Sequence, residues 1–99
     1  MKIKKSAISG TMESSDIMVA LAPNEGKGIE IKLDSPVEKQ YGHEIHKVIE
    51  ETLTKLDVSD AKVTAVDKGA LDCVIRARLK TAVYRAAEND NYVWGGAAK

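Results

Sequence analysis

The sequence is short of the features that would place a protein outside a reducing compartment. Cys73 is the single cysteine among 99 residues. One thiol cannot close an intrachain disulfide, so nothing in the chain asks for an oxidising environment. Neither sign of charge is in excess: Lys+Arg and Asp+Glu each number 15, for a net charge of zero. A protein that grips nucleic-acid phosphates needs a basic surplus, so no nucleic-acid partner is expected. No apolar run approaches the ~18 residues of a membrane-spanning helix, so no membrane partner is expected either. The basic opening, MKIKKSAISG, is followed by no apolar segment of signal-peptide length. Together these absences lead to the expectation of a soluble cytoplasmic protein.

What is present suits one globular domain. Hydrophobic residues make up 43% and charged residues 30%, a folded rather than a disordered balance. A chain of this length buries roughly 60–70% of the surface its unfolded form exposes, enough for one core. KSAISG reads as an edge strand. DIMVALAP reads as a strand of about six residues ended by Pro23. NEGKG, residues 24–28, has turn composition. GIEIKLD alternates, with Ile29, Ile31 and Leu33 against Glu30 and Lys32, the period of a half-buried strand. The last two runs therefore suggest a hairpin.

The period then changes. Ser35 and Glu38 have capping-box spacing, with Pro36 at the first helical position. Ile45, Val48, Ile49, Thr52, Leu53 and Leu56 follow at helical spacing and make one apolar stripe. AKVTAV, residues 61–66, returns to strand composition. Asp67 is a candidate cap for a second helix, and Asp72 suits its positive N-terminus. Leu71, Val74, Ile75, Leu79 and Val83 form the expected face of that helix. The resulting order is β(β)βαβα. The expected fold is α+β: a single small two-layer sandwich, with a mainly antiparallel sheet covered by two amphipathic helices. Residues 89–99 lack periodicity and are expected to fray.

The chemistry-bearing residues leave several readings open. His43 and His46 are three apart on the first helix and could share a metal, yet no third ligand has a sensible spacing. A solvated helix face is the alternative. Cys73, near a helix N-terminus, could have a lowered pKa, but its place between Leu71 and Val74 points to packing at the helix–sheet interface. Arg76, Arg78, Lys80 and Arg85 make either a charged solvent face or a dock for an acidic partner or a phosphorylated group. NEGKG lacks the spacing of a phosphate loop. In GTMESSDIMV, residues 10–19, Ser14 and Ser15 sit between Glu13 and Asp16. No G-x-S-x-G elbow supports a catalytic serine, so ESSD is a capped turn or a site that another enzyme modifies.

Three blocks together carry a resemblance: GTMESSDIMV near the start, SPVEKQYG before the first helix, and DKGALDCVIRAR opening the second. In order and spacing they resemble the acyl carrier protein, or gamma subunit, of citrate lyase, over about residues 2–87. Met12 stands where that family would have leucine. The resemblance implies that residues 1–88 are an acyl carrier domain, with no catalytic residue of its own. It implies that Ser14 carries 2'-(5''-phosphoribosyl)-3'-dephospho-coenzyme A through a phosphodiester. The terminal thiol of that group would present acetyl and citryl thioesters to the alpha and beta subunits, which turn citrate into acetate and oxaloacetate. A holo-carrier synthase would attach the group. Two alternatives remain: the carrier of a related complex such as malonate decarboxylase, and a small autonomous enzyme of the acylphosphatase type. With little seen to hold it, the loop of Ser14 is expected to be mobile, with fast amide exchange over residues 9–15.

Overall fold

The computed structural model describes residues 2–35 and 38–88. Six elements follow one another: β1 (Ala7–Gly10), β2 (Ile17–Ala22), β3 (Ile29–Asp34), α1 (Glu38–Lys55), β4 (Ala61–Asp67) and α2 (Asp72–Ala86). The strands form one sheet in the order β1-β2-β4-β3. β1 pairs with β2 and β2 with β4 antiparallel, while β3 and β4 run parallel. This is the expected α+β arrangement, with a mainly antiparallel sheet. The expected tail, residues 89–99, and Pro36 of the expected capping box lie outside the described residues.

The neighbour of β2 differs from the sequence expectation. β2 and β3 are not a hairpin, because β4 lies between them. Alternation reports which face of a strand is buried and says nothing about which strand lies beside it. β3 and β4 are parallel, so the chain must cross over between them, and α1 is that crossover. The true hairpin is β1–β2. Its connection runs from Thr11 to Asp16 and contains both serines.

The core lies between the sheet and the two helices. Ile17, Val19 and Leu21 of β2 face it, with Ala61, Val63 and Ala65 of β4. Ala65 pairs with Val19 on one side and Leu33 on the other, so a small side chain in the central strand sits between larger ones. From α1 come Ile45, Val48, Ile49, Thr52 and Leu53, all buried, which is the stripe read from the sequence. Leu56 lies just past the helix and packs partly against the same core. Burying a side chain of this size contributes roughly 1.5–3 kcal/mol. The α1 terminus closes with Asp57 N–H on the Thr54 carbonyl and Val58 N–H on the Leu53 carbonyl. Asp57 takes the left-handed backbone (φ 62°) that this cap requires.

The buried face of α2 consists of Ile75, Leu79, Ala82, Val83 and Ala86, with Thr81 and Tyr84 also covered. Two expectations fail at its start. Leu71 is 70% exposed and Cys73 is exposed. Leu71 is the N-cap, with extended backbone (φ −74°, ψ 158°), so it does not continue the helical phase. Cys73 is in phase but stands two residues, about 200° of rotation, from Ile75. That rotation carries it away from the sheet. Asp67 does not cap α2 either; it closes a separate turn, described below.

Candidate functional site

Ser14 and Ser15 lie on the β1–β2 connection, and both are exposed. The loop is built by local chemistry at both ends. Gly10 ends β1 with φ 91°, and a Cβ there would lie 1.9 Å from the Ile17 carbonyl oxygen. Only glycine permits that closeness and that backbone. Asp16 N–H donates to the Glu13 carbonyl at 3.1 Å, which closes a four-residue turn with Ser14 and Ser15 at its centre. Ser15 has φ 65°, the positive value that the third position of a type II turn requires.

The turn is then tied to the rest of the molecule. Ser15 N–H donates to the Lys68 carbonyl at 2.8 Å, and Lys68 N–H to the Asp16 carbonyl at 2.9 Å. These two bonds fasten the serine loop to the segment between β4 and α2. Arg78, on α2, grips the Asp16 carboxylate with two donors, Nε to Oδ1 at 3.0 Å and Nη2 to Oδ2 at 2.7 Å. Thr11 Oγ1 donates to the same carboxylate at 2.6 Å and accepts Glu13 N–H at 3.2 Å. Ile17 N–H reaches Asp16 Oδ1 at 2.7 Å. The Arg78 guanidinium first, and the Thr11 hydroxyl second, hold the Asp16 carboxyl well below the usual carboxylate range. The carboxylate in turn raises the pKa of Arg78.

The premise that little holds this loop is therefore corrected. Ser9 is buried in β1 and the Ser15 amide is bonded across to Lys68. Ser14 occupies the exposed corner of an ordered turn. The Arg78–Asp16 pair was the part the sequence reading missed. Its partners are 62 positions apart, and only the topology brings them together.

Asp67 supplies a second anchor beneath the loop. It is 1% exposed and accepts Ser35 Oγ–H and Ala70 N–H, both at 2.9 Å. Ser35, read from the sequence as a helix cap, donates its hydroxyl to the end of β4. Ile17 pairs with Asp67, so this carboxylate sits at the same end of the sheet as the serines.

The other candidates disperse. His43 is exposed and His46 half-buried on α1. Among the described residues no group of three His, Cys, Asp or Glu side chains is placed to hold a metal. The basic residues of α2 divide between two flanks. At about 100° per residue, Arg78 and Arg85 fall on one side of the buried face and Arg76 and Lys80 on the other. The first flank grips the hairpin: Arg85 Nη1 donates to the Ile8 carbonyl at 2.9 Å, beside the Arg78–Asp16 pair. An open cleft of about 510 Å³, lined by Lys2, Asn24, Glu25, Asp57 and Asp60 among others, lies at the opposite end of the sheet. Among the described residues no helix is long and apolar enough to cross a membrane.

A protein-family model described as ACP, malonate decarboxylase delta subunit (MdcD), matches residues 4–86. The citrate lyase acyl carrier protein of Streptococcus mutans serotype c is 57% identical over 94 residues, spanning 95% of this chain and 92% of that protein. The proteins of the same name from Streptococcus pyogenes serotype M4 and Streptococcus equi subsp. equi are 55% and 52% identical over the same shares. Among solved structures, one from Thermus thermophilus superposes with a TM-score of 0.62 at 16% identity, covering 86% of this chain and 16% of that one. Homoserine kinase from Cytophaga hutchinsonii gives 0.57 at 12% identity, covering 93% and 38%. At those identities the structural likeness is one of fold alone.

Proposed function

The chain belongs to the family of citrate lyase acyl carrier proteins, and we propose from that premise that Ser14 is the residue to which its prosthetic group is attached. It is a carrier subunit and not itself a catalyst, and its partners include the catalytic subunits it serves. The small-enzyme alternative falls with that membership.

The group we assign is 2'-(5''-phosphoribosyl)-3'-dephospho-coenzyme A, joined to the Ser14 hydroxyl by a phosphodiester and attached by a holo-carrier synthase in the cytoplasm. When bound, it supplies a terminal thiol on a long arm, able to hold acyl groups as thioesters. The chain's own contribution is mechanical. A tethered reactant reaches each partner at high effective concentration, provided its anchor is fixed to a stable body. The alpha and beta subunits then act on the acetyl and citryl forms, converting citrate to acetate and oxaloacetate.

The observation that carries this reading is the placement of Ser14 at the exposed corner of a turn whose flanks are bonded to two other segments. Such a hydroxyl is open to an attacking enzyme. Forming the ester breaks the serine O–H bond and a P–O bond of the donor; a base of the synthase takes the proton and the donor's leaving group departs with the electron pair. Ser15 is the adjacent alternative and is exposed as well; the resemblance of ESSD to the family favours the first serine. The test is a pair of substitutions. Ser14→Ala should abolish the mass gain produced by the synthase, whereas Ser15→Ala should retain it. The reverse result would move the site by one residue.

A second reading has its own support. The matching family model is described by the malonate decarboxylase delta subunit, so this chain could serve that complex through the same serine. The relatives named above, at 52–57% identity, favour citrate lyase. Cleavage of citrate, and not decarboxylation of malonate, by the purified complex separates the two.

A further inference from the structure

A surface hydroxyl is no distinction in itself. Ser6, Ser59 and Thr64 are exposed as well, so an enzyme that modifies Ser14 must read more than a hydroxyl. What sets Ser14 apart is the shape that holds it. The Glu13–Asp16 turn is bonded to Lys68 on one side and, through the Asp16 carboxylate, to Arg78 and Thr11 on the other. A bidentate guanidinium fixes both distance and direction, which a single ammonium contact does not. Arg85 holds the β1 strand from the same helix flank. The hairpin is thus seated on α2 along its length.

We infer that the Arg78–Asp16 pair is a positioning element for the modification of Ser14, holding the serine turn in the one conformation that the modifying enzyme binds. This rests on the reading of Ser14 as the attachment residue. Arg78 contacts Asp16 and not Ser14, so it acts through another group. Its consequence is felt in recognition. An enzyme that binds only the clamped turn has its apparent affinity reduced by the fraction of carrier in that state. If release of the clamp leaves one turn in ten correctly formed, KM for the carrier rises about ten-fold and kcat stays as it was.

The experiment uses the full-length unmodified chain, the synthase from the same host and its coenzyme A-derived donor, with mass gain at Ser14 as the readout. Arg78→Ala and Asp16→Asn should each raise KM for the carrier about ten-fold, with kcat changed less than about two-fold. Arg78→Lys should lie between, and the reversed pair Asp16→Arg with Arg78→Asp should recover part of the loss. Amide exchange at Ser15 should speed up in Arg78→Ala. If Arg78→Ala does not fold, the nearly isosteric Asp16→Asn carries the test. An unchanged KM in folded variants, or unchanged exchange at Ser15, overturns the positioning role while the carrier reading stands. A wild-type chain that gains no mass at Ser14 overturns the reading beneath it, and this role with it.

Discussion

The two ends of the sheet are held by different means, and the proposed attachment serine lies at the end that is tied to a helix. At one end, residues 23–28 are fastened by hydrogen bonds among themselves, to Glu30 and to Asp60 and Ala61 at the start of β4, with no helix involved in these bonds. Asn24 Nδ2 donates to the Gly28 carbonyl and to Glu30, Lys27 N–H donates to the Asn24 carbonyl, and Gly28 N–H reaches Asp60. At the other end, residues 11–16 are joined to the β4–α2 segment by backbone bonds and to α2 itself by an ion pair. The first arrangement keeps a loop tidy. The second makes the position of a loop depend on a helix, so that a surface hydroxyl acquires a fixed place relative to the whole body. A carrier that must dock on several partners needs that property at one point only.

The largest expected difference between the ends concerns their glycines. Gly10→Ala should destabilise the protein by about 3 kcal/mol or more, because its Cβ meets backbone that cannot move without opening the hairpin. Gly26→Ala meets nothing within 4 Å and has φ 70°, so only the backbone preference of about 1 kcal/mol is lost. Urea denaturation of both variants measures the contrast; equal losses would mean that the Gly10 contact does not govern the hairpin.

Next in size is Asp67. Replacing it with alanine leaves the Ser35 hydroxyl and the Ala70 amide without this acceptor, at a cost of about 2 kcal/mol. Thermal melting should place this variant clearly below wild type. A loss no greater than that of an exposed substitution would show that the buried carboxylate is not an anchor.

The ion pair should leave a pH signature. The Asp16 carboxyl titrates below its ordinary value in the folded state, so it stabilises the fold when ionised. That contribution is complete above the unfolded value of ~4 and falls away as the pH is lowered toward the depressed folded value. With Arg78 partly exposed, the contribution is small, about 1 kcal/mol or less. The gap between wild type and Asp16→Asn should stay constant from pH 7 to about pH 4 and narrow below it; a gap that does not narrow there would contradict the pair's contribution.

Smallest of all is Cys73. Exposed on the outer side of α2, it should tolerate Cys73→Ala within about 0.5 kcal/mol, read by the same denaturation.

How far the sequence could be read follows the same division between near and far. The strand of DIMVALAP, the α1 stripe and the edge position of β1 were legible because their signals are local and periodic. Ile45, Val48, Ile49 and Leu53 could be placed on one face without knowing what covered it. The neighbour of β2 was not legible, since alternation is the same whichever strand lies alongside. Leu71 and Cys73 were misplaced because a helical phase was extended through an extended N-cap residue and onto a position facing away from the core. Ser14 was singled out only through the resemblance of its block to a family, and no local pattern marks it. Its clamp was not found, because the acid of GTMESSDIMV and the arginine of DKGALDCVIRAR meet only after the sheet has formed.

The proposed role of this chain stands or falls on Ser14, at the corner of its turn, carrying the group. Peptide mapping by mass spectrometry of the chain isolated within its active complex tests it most directly. The expected result is a phosphodiester-linked, thiol-ended adduct on the peptide containing Glu13–Asp16, localised by fragmentation to Ser14. An active complex whose carrier has the mass of the bare chain, or an adduct localised to another residue, would contradict it.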